Sequence, residues 1–426
     1  MAQKGIREFD AKRMLAKFLP EFTKAVNYEG KVALVDPDTD FSKLKKEVTW
    51  LKGTKLVVKP DQLFGKRGKN NLLLLNSTID EAEAWIKERM NKTFDIGKSK
   101  GELTHFLIEP FVPHKEEYYV AIKSARAGDT IYFSMEGGIN VEENWDKVKE
   151  ALIEPLQNVD DVDLKKLVSS DLGSNQSSVI DFIKGLFKLY RKLGFSYLEI
   201  NPFTLVGKDV VPLDTVAKLD DTAAFECGQY WDNIEFPQSF GMTKKPEEER
   251  IRELDEKSGS SLKLTILKPD GRIWLMVAGG GASVIYTDTV VDLGHVDELA
   301  NYGEYSGNPT KDETQVYAET ILDLMTRKKH PDGKCLLIGG GIANFTDVAK
   351  TFTGIIASLK KYKEKLIEHK IKIFVRRGGP NYQEGLAQMK KLGKELNIPI
   401  EVYGPETHMT KIVPQAAAAL GLKGGK

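Results

Sequence analysis

One stretch constrains the fold more than any other: an apolar run that ends abruptly at three consecutive glycines. Residues 335–338 have the composition of a buried strand, and residues 339–341 are all glycine. Glycine adopts backbone angles that other residues resist, so the chain can turn sharply there. A stretch with helical spacing of apolar residues follows, and Asn344 or Thr346 is placed to cap it. The pattern predicts a strand, a turn and a helix in succession, as in α/β proteins.

Strands and helices alternate in the same way through the second half of the chain. A hairpin is predicted for residues 262–267 and 272–277, because the Pro-Asp-Gly sequence between them is typical of a turn. Alternation at this spacing predicts a parallel sheet that is covered by helices on both faces. Beyond the hairpin, strands are predicted at residues 335–338, 371–375 and 400–403, and helices at 282–293, 314–326, 382–392 and 411–420.

The first half is also predicted to be α/β, in two smaller lobes. A charged amphipathic helix is expected near residues 6–22, and strands and helices follow through residue 213. Residues 229–250 have two prolines, few aliphatic residues and a dense charged run, which together are typical of a linker. A chain of 426 residues is too long for one core, so we expect two domains, 1–240 and 241–426.

Charge and cysteine content exclude several classes of protein. The chain has 62 Lys and Arg residues against 62 Asp and Glu residues, so no net field attracts nucleic acid or an anionic membrane. Its two cysteines cannot form a disulfide framework, which favours a reducing compartment. No apolar run is long enough to span a bilayer, and the first residues contain no apolar signal segment. We therefore expect a cytoplasmic enzyme or binding protein.

A basic loop in the first half is a candidate phosphate site. A predicted strand ends at Lys59, and the loop that follows contains Gly65, Gly68 and three more cations, Arg67 among them. Fixed cations and the N–H groups of a glycine-rich loop are what a polyphosphate needs. The order of residues is not that of a Walker loop. The alternative is a solvated basic loop with a lysine that reaches out to solvent.

Two strands further along the chain are predicted to bring oxygen-bearing side chains together. If a two-residue turn at Gly207 and Lys208 joins them, Asn201 lies opposite Asp214, and Glu199 shares the face of Asn201. Carboxylate and amide oxygens of this kind hold Mg²⁺ together with nucleotide phosphates. The alternative is the polar outer face of an ordinary hairpin, and a slip of one residue would separate the pair.

An extended apolar segment follows another predicted strand, at Glu109, Pro110 and Val112. Such a segment can offer backbone hydrogen bonds to the edge of an adenine ring and apolar walls to its faces. Glu117 is placed to accept hydrogen bonds from ribose hydroxyls. The alternative is an ordinary connection between two lobes.

Three loops are predicted to meet at one edge of the second sheet. The strand that precedes Arg376 and Arg377 should lie beside residues 335–338, which brings an arginine next to the glycine turn. Helix N-termini favour anions, and a guanidinium binds carboxylate through two parallel hydrogen bonds. Residues 301–307 supply a third side, so the three loops could enclose a polycarboxylate. The alternative is a glycine turn that serves only packing and an arginine that pairs internally.

These motifs resemble a known family. The first half, with VVKPDQLFGKRGK, FLIEPFVPH and LEINPF, resembles the ATP-grasp domain of the succinyl-CoA synthetase superfamily. The second half, with MVAGGGASVIYTD, ELANYGEYSG and GGGIANFTD, resembles the flavodoxin-like, doubly wound domain that follows it there. The Asn-Phe-Thr sequence after the glycines and the double arginine are similar to the ATP-citrate lyases rather than to succinyl-CoA synthetases.

The resemblance implies roles for individual residues and a set of cofactors. It implies ATP and Mg²⁺ as cofactors and coenzyme A as a cosubstrate. It also suggests a second metal or phosphate contact around Asp255, Ser258 and Ser260, for which the sequence offers no independent argument. The residues that it implies are Lys59, Arg67, Gly68, Glu109, Pro110, Val112 and Glu117 for ATP, Asn201 and Asp214 for Mg²⁺, and Gly307, Asn344, Phe345, Thr346 and Arg377 for citrate.

The family passes a phosphoryl group through a histidine in a glycine- and alanine-rich turn, and none of the six histidines here has that setting. The citrate-synthase-like lyase portion is absent as well. The resemblance therefore implies no catalytic residue on this chain and a partner subunit that carries the phosphohistidine, the coenzyme A site and the lyase portion. The whole hetero-oligomer would convert citrate and coenzyme A to acetyl-CoA and oxaloacetate at the expense of ATP.

Three other functions stay open from the sequence. A citryl-CoA synthetase subunit would stop at citryl-CoA, and the difference would lie in the partner. A succinyl-CoA synthetase β subunit fits the three-loop cage less well. A non-enzymatic sensor of citrate or nucleotide would need neither Mg²⁺ nor a transferable phosphate.

Overall fold

The computed structural model describes residues 3–26, 28–97, 99–138, 141, 144–242 and 245–422. Contacts within the chain group it into two compact units, residues 1–243 and 244–426. The helices of the first unit are α1 (Glu8–Phe18), α2 (Phe41–Glu47), α3 (Ile79–Arg89), α4 (Gln176–Lys192) and α5 (Ala224–Trp231). Its strands are β1 (Gln3–Ile6), β2 (Ala33–Val35), β3 (Leu56–Pro60), β4 (Leu74–Ser77), β5 (Lys92–Ile96), β6 (Ser99–Leu103), β7 (Phe106–Pro110), β8 (Tyr118–Ala125), β9 (Gly128–Ser134), β10 (Lys149–Ile153), β11 (Phe195–Val206), β12 (Asp209–Pro212) and β13 (Thr215–Asp220).

The first unit contains a large and a small antiparallel sheet, each with its own core. The large sheet has the order β1-β13-β11-β8-β9-β10, with β12 paired to β11, and α1 and α4 pack against it. The small sheet has the order β2-β7-β3-β4, and α3 packs against it. The two cores share no residue among those described. Lys59 lies on β3 of the small sheet, and Asn201 lies on β11 of the large sheet.

The second unit is a doubly wound α/β sheet. Its order is β14-β16-β15-β17-β18-β19, in which only β14 is antiparallel. Its strands are β14 (Ser261–Ile266), β15 (Ile273–Ala278), β16 (Asn301–Ser306), β17 (Lys334–Gly340), β18 (Ile371–Arg376) and β19 (Ile400–Tyr403). Its helices are α6 (Pro246–Lys257), α7 (Gly280–Asp292), α8 (Lys311–Met325), α9 (Val348–Lys361), α10 (Lys363–Glu368), α11 (Tyr382–Leu396) and α12 (Ile412–Ala419).

Alternate residues of β15, a central strand of this sheet, pack into two different hydrophobic cores. Trp274 and Met276 pack with residues of α8, α9 and α11 on one face. Ile273, Leu275 and Val277 pack with residues of α7 and α12 on the other. A strand that is apolar at every position is what a sheet covered on both faces requires.

The hairpin predicted for residues 262–277 is wrong, because β16 lies between β14 and β15. The side chain of Asn301 explains part of this order: its Oδ1 accepts from the Leu275 N–H and its Nδ2 donates to the Leu275 carbonyl, both at 2.8 Å. The amide thus extends the hydrogen bonding of β16 to β15. In the sheet β15 pairs with β16 on one side and with β17 on the other.

The linker predicted for residues 229–250 is wrong at both ends. Helix α5 continues to Trp231, and α6 begins at Pro246. Proline suits the first position of a helix, where its missing N–H would have no partner, and the acidic side chains of Glu247, Glu248 and Glu249 favour the positive end of the helix dipole. Residues that look like a charged linker are therefore a helix start. Among the described helices, none combines the length and apolar character needed to cross a membrane.

Candidate functional sites

A buried cluster of charges lies at the centre of the first unit. Glu8, in the first turn of α1, contacts Lys12 Nζ at 2.8 Å, Lys59 Nζ at 2.7 Å and Arg67 Nη1 at 2.9 Å. Glu109 joins the same lysines, at 2.5 Å from Lys12 and 2.9 Å from Lys59. All five side chains are buried. Three of them were predicted from the sequence, and the cluster holds them together across the small sheet and α1.

The sequence analysis did not identify Glu8 and Lys12 as site residues. They are four residues apart on α1, and both lie on its buried side, although a charged residue on an amphipathic helix is expected to face solvent. The usable signal was their spacing: they share a helix face with Ala11 and Leu15, which are completely buried. A charge pair on the apolar face of a helix indicates partners elsewhere in the core.

The cluster controls the ionisation of its members. Burial alone would raise the pKa of Glu8, but the charges of Lys12, Lys59 and Arg67 hold it well below its usual value. Burial opposes the charge on Lys12, yet Glu109 and Glu8 raise its pKa. The charged forms are thus maintained inside the protein because each has a partner of opposite sign.

Asp61 behaves differently from its neighbours. Its carboxylate accepts hydrogen bonds from the backbone N–H groups of Glu8 and Phe9, at 2.8 and 3.0 Å. Burial, followed by the charge of Glu8, raises its pKa to about 6, although the backbone hydrogen bonds and Arg67 oppose the shift. This carboxyl group therefore titrates close to neutral pH.

The predicted magnesium residues lie in the register that the sequence indicated. Val206 pairs with Asp209 across the turn, and the Asn201 N–H donates to the Asp214 carbonyl at 2.9 Å. The Asp214 carboxylate is 2.5 Å from Arg67 Nη2, and Asn201 Oδ1 accepts from the Gly138 N–H at 2.6 Å. Burial raises the pKa of Asp214 despite the opposing charge of Arg67.

The oxygens of Asn201 and Asp214 fit a metal whose shell is completed by other groups. Among the described residues there is no cluster of three or more His, Cys, Asp and Glu side chains that would hold a metal unaided. Mg²⁺ is commonly bound by one or two carboxylates together with phosphate oxygens and water, and Asp214 and Asn201 could supply the protein ligands of such a set. Glu199 lines the same cavity as Asn201 and Asp214, the larger of the two described next. Its carboxylate accepts a hydrogen bond from the Tyr197 hydroxyl.

Two cavities in the first unit bring the predicted nucleotide residues together. The larger has a volume of about 760 Å³ and the smaller about 350 Å³, and Glu117 and Asp214 line both. The smaller has mainly apolar walls, which suit a planar ring. Of the predicted residues, Arg67, Gly68 and Asn201 line the larger cavity, and Lys59, Glu109, Pro110 and Val112 line the smaller.

The two consecutive arginines of the second unit have different surroundings. Arg376 is fully engaged in the structure: Nη1 donates to the Gly340 carbonyl at 2.9 Å, Nε to Thr407 at 2.9 Å, and Nη2 to Pro405 at 3.1 Å. It ties the end of β18 to the glycine turn and to the loop after β19. This arginine matches the alternative in which the side chain pairs internally.

Arg377 is 1% exposed, yet most of its guanidinium is unpaired. Nη1 is 3.5 Å from the Gly341 carbonyl, and Nε and Nη2 have no hydrogen-bond partner among the described residues. A Cβ built on Gly340 would lie 2.2 Å from Nη1, so the side chain occupies the space that the glycine leaves. Nε and Nη2 form the edge of a guanidinium that grips a carboxylate through two hydrogen bonds.

The other predicted citrate residues lie in the loops around Arg377. Asn344 and Phe345 are exposed, the latter by 66%, whereas Thr346 is buried. Gly307 directly follows β16 and has a φ of 76°, which favours glycine. The prediction that Asn344 or Thr346 caps the helix is wrong, because Asp347 caps α9 by accepting from the Lys350 N–H.

Asp347 connects the three predicted loops. Its N–H is 3.4 Å from Asn308 Oδ1, beside Gly307, and its carboxylate accepts from Asn381 Nδ2 at 2.8 Å. The structure thus brings the loops after β16, β17 and β18 to one edge of the sheet, as predicted. Because Asp347 is the cap, the side chains of Asn344 and Thr346 are not needed for that purpose.

Asp255, Ser258 and Ser260 form a local arrangement at the end of α6. The Asp255 carboxylate accepts from the Leu262 N–H at 2.7 Å and pairs with Lys263. The hydroxyls of Ser258 and Ser260 are 2.7 Å apart. These contacts account for the side chains structurally, and a metal or phosphate role for them stays a prediction.

Comparison with known proteins identifies the family. A family model described as the ATP-citrate synthase ATP-grasp domain matches residues 2–231, and one described as ATP citrate lyase citrate-binding matches residues 242–419. The chain belongs to the ATP-citrate lyase family. It therefore contains an ATP-grasp domain and a citrate-binding domain, and the fold class predicted from the sequence is confirmed.

Two similar relatives from this family differ in length. The chain is 50% identical over 419 residues to ATP-citrate synthase of Homo sapiens. The matched region covers 98% of this chain but only 38% of that protein. The chain is also 50% identical to ATP-citrate synthase alpha chain protein 2 of Oryza sativa subsp. japonica, and 98% of each chain is covered. The chain thus spans little more than a third of the animal enzyme and nearly all of the plant alpha chain.

A solved structure of an ATP-citrate lyase matches the fold closely. It comes from Methanothrix soehngenii, in complex with citrate and coenzyme A, and is 55% identical in sequence. The match has a TM-score of 0.90 and covers 98% of this chain and 100% of the other. A structure of ATP citrate lyase from Methanosaeta concilii, in complex with (3S)-citryl-CoA, is 54% identical with the same TM-score.

Proposed function

We propose that this chain is the ATP- and citrate-binding part of an ATP-citrate lyase. The complete enzyme would use ATP to join citrate to coenzyme A and would cleave the product to acetyl-CoA and oxaloacetate, with release of ADP and phosphate. The plant relative of the same length is called an alpha chain, which supports a role as one subunit of a hetero-oligomer. We expect the complex to act in the cytoplasm.

The observation that carries the proposal is the unpaired edge of Arg377. A buried guanidinium whose Nε and Nη2 lack partners loses several hydrogen bonds unless an anion supplies them. Gly307, Asn344, Phe345 and Thr346, whose loops lie at the same edge of the sheet, would contact the rest of the citrate. The citrate found in the Methanothrix soehngenii structure supports this choice of anion.

In the first unit, Lys59, Arg67 and the N–H groups near Gly68 would bind the phosphates of ATP. Pro110 and Val112 would contact the adenine. The residues Glu109 and Glu117 would orient the nucleotide, the former by holding Lys59 and the latter by accepting from ribose. Asn201 and Asp214 would hold Mg²⁺, whose charge would offset that of the triphosphate. Arg67 would then exchange its contact with Asp214 for one with phosphate.

The phosphoryl group would pass to a histidine of the partner subunit and from there to citrate. Arg377 would keep one citrate carboxylate fixed and neutralised, while another carboxylate would attack the phosphohistidine to give citryl phosphate. Coenzyme A would then displace the phosphate. The partner would carry the coenzyme A site and the lyase portion, in agreement with the greater length of the animal relative.

Isothermal titration of the full chain with citrate tests the proposal. Arg377→Ala should weaken citrate binding by about 1.5–3 kcal/mol, because a charged hydrogen-bonding partner is lost. Arg252, an exposed arginine of α6 that pairs with Glu249 and Glu256, offers a matched control: Arg252→Ala should bind citrate normally. The proposal fails if citrate does not bind the unmodified chain, or if succinate binds more tightly than citrate.

A further inference from the structure

The hydroxyl of Tyr305 is buried without a hydrogen-bond partner in the part of the chain that the structure describes, as are Nε and Nη2 of Arg377. Burial raises the pKa of Tyr305, and the charge of Arg377 opposes that shift, so the two side chains interact electrostatically. Tyr305 is 0% exposed, and its hydroxyl has no hydrogen-bond partner among the described residues. A buried hydroxyl without a partner is uncommon, and each case calls for an explanation. Tyr317, which packs against it with ring centroids 6.1 Å apart, has such a partner, because its hydroxyl donates to the Lys263 carbonyl at 2.9 Å.

The strand register places Tyr305 and Arg377 on the same side of the sheet. Tyr305 pairs with Ala278, and Ala278 pairs with Gly340, so the three residues form one row across neighbouring parallel strands. Paired residues in a parallel sheet point to the same face. Arg377 lies over Gly340 in the position of its missing side chain. In this row Ala278 is the residue between Tyr305 and Gly340.

The unpaired atoms share one chemical character. Nε and Nη2 of Arg377 are donors only, and the Tyr305 hydroxyl can donate to an acceptor without itself accepting a hydrogen bond. An apolar ligand would leave all three unpaired, and a neutral hydroxyl group, with two lone pairs, would satisfy at most two. A carboxylate has two oxygens and about four acceptor positions, so it can satisfy all three at once.

We propose that the Tyr305 hydroxyl donates a hydrogen bond to the same substrate carboxylate that the Nε–Nη2 edge of Arg377 binds. Tyr305 would thus be a specificity-determining residue of the citrate site. The inference rests on the proposed function, because it takes the carboxylate to be part of citrate. The alternative is that a buried water molecule pairs with the Tyr305 hydroxyl, which would make citrate binding independent of the tyrosine.

Tyr305→Phe tests the proposal, since it removes one hydroxyl and keeps the ring. Isothermal titration of the full chain should show citrate binding weakened by roughly tenfold, as expected for one hydrogen bond to a charged group. The ligand-free Tm should stay the same or rise, because no hydrogen bond within the protein is lost. Tyr317→Phe is the matched control: it should lower the ligand-free Tm and leave citrate affinity unchanged.

A double-mutant cycle with Arg377→Lys then asks whether both residues act on one carboxylate. If they do, the loss in the double variant is smaller than the product of the two single losses. Equal citrate affinity of Tyr305→Phe and the unmodified chain, or a double loss equal to that product, would overturn the inference and leave the proposed function intact. An unmodified chain that does not bind citrate would overturn both.

Discussion

Three cations converge on Glu8, and the effect of removing its charge can be worked out. Glu8→Gln would leave Lys12, Lys59 and Arg67 buried with less negative charge around them. Breaking a buried ion pair costs about 3–5 kcal/mol, so urea denaturation should show a loss of free energy of unfolding of that size. ATP binding should weaken as well, because the positions of Lys59 and Arg67 depend on this carboxylate.

Glu83 provides the control for Glu8. It also contacts two lysines, Lys45 and Lys87, but on the surface of α3. Glu83→Gln should therefore change the free energy of unfolding by less than about 1 kcal/mol. Similar losses for the two variants would contradict the structural role assigned to Glu8.

The raised pKa of Asp61 leads us to expect that the stability of the protein depends on pH. The Asp61 pKa is raised to about 6 in the folded protein from the usual 3.8, so the folded state binds its proton more tightly than the unfolded state does. The stabilisation is complete below pH 3.8 and is lost as the pH rises through 6. By linkage the change amounts to up to about 3 kcal/mol.

The measurement compares the unmodified chain with Asp61→Asn, which does not titrate. Between pH 4 and pH 7 the difference in free energy of unfolding between the two proteins should shift in favour of the variant. Taking the difference removes the contribution of the other carboxyl groups. A difference that does not vary with pH would show that Asp61 has an ordinary pKa.

The limits of prediction from sequence are clear at these residues. The Arg-Arg pair and its position at the end of β18 were readable, and so was the register of Asn201 and Asp214. The buried status of Glu8 and Lys12 was not readable, because their partners Lys59 and Glu109 lie far away in the sequence. Which arginine is unpaired depends on carbonyl groups of the glycine turn and of the loop after β19, and spacing carries no information about them.

At the scale of elements, the packing of α9 on α8 depends on one glycine. A Cβ at Gly354 would lie 2.4 Å from the Lys311 carbonyl oxygen and 2.9 Å from the Gln315 nitrogen, both of which are backbone atoms. Alanine normally improves a helix interior by about 1 kcal/mol over glycine. Here the two helices would have to separate, so Gly354→Ala should destabilise the protein by about 1–3 kcal/mol.

Gly228 is the matched control, because it lies within α5 and a Cβ there would meet nothing within 4 Å. Gly228→Ala should raise the free energy of unfolding by about 0.5–1 kcal/mol. Chemical denaturation of both variants checks the pair. Stabilisation by Gly354→Ala would mean that α8 and α9 do not approach as closely as described.

Elements that depend on local pattern were predicted well, and those that depend on distant partners were not. The strand predicted at residues 371–375 was expected beside β17, and β18 lies there. The alternation of strand and helix patterns in this part of the sequence indicates two neighbouring parallel strands. The hairpin at 262–277 is wrong because β16, which comes after β15 in the sequence, inserts between its two strands. A turn sequence such as Pro-Asp-Gly allows a hairpin, but it carries no information about a third strand that inserts between the two.

At the scale of the whole molecule, the two candidate sites lie in different compact units. The cluster around Glu8 and the two cavities belong to residues 1–243, and Arg377 and its loops belong to residues 244–426. Ligand binding at either site should raise the thermal stability of the chain, by about 2.7 kcal/mol at a concentration 100 times the Kd. The two stabilising effects should be separable by mutation.

Thermal unfolding of the full chain with each ligand makes the test. Arg377→Lys should abolish most of the rise in Tm with citrate and keep the rise with Mg-ATP, because lysine cannot form two parallel hydrogen bonds to a carboxylate. Asp214→Asn should do the reverse, since it removes the charged candidate ligand for Mg²⁺. If Arg377→Lys reduces the response to Mg-ATP as much as the response to citrate, then Arg377 supports the whole fold, and the separation of the two sites proposed here is wrong.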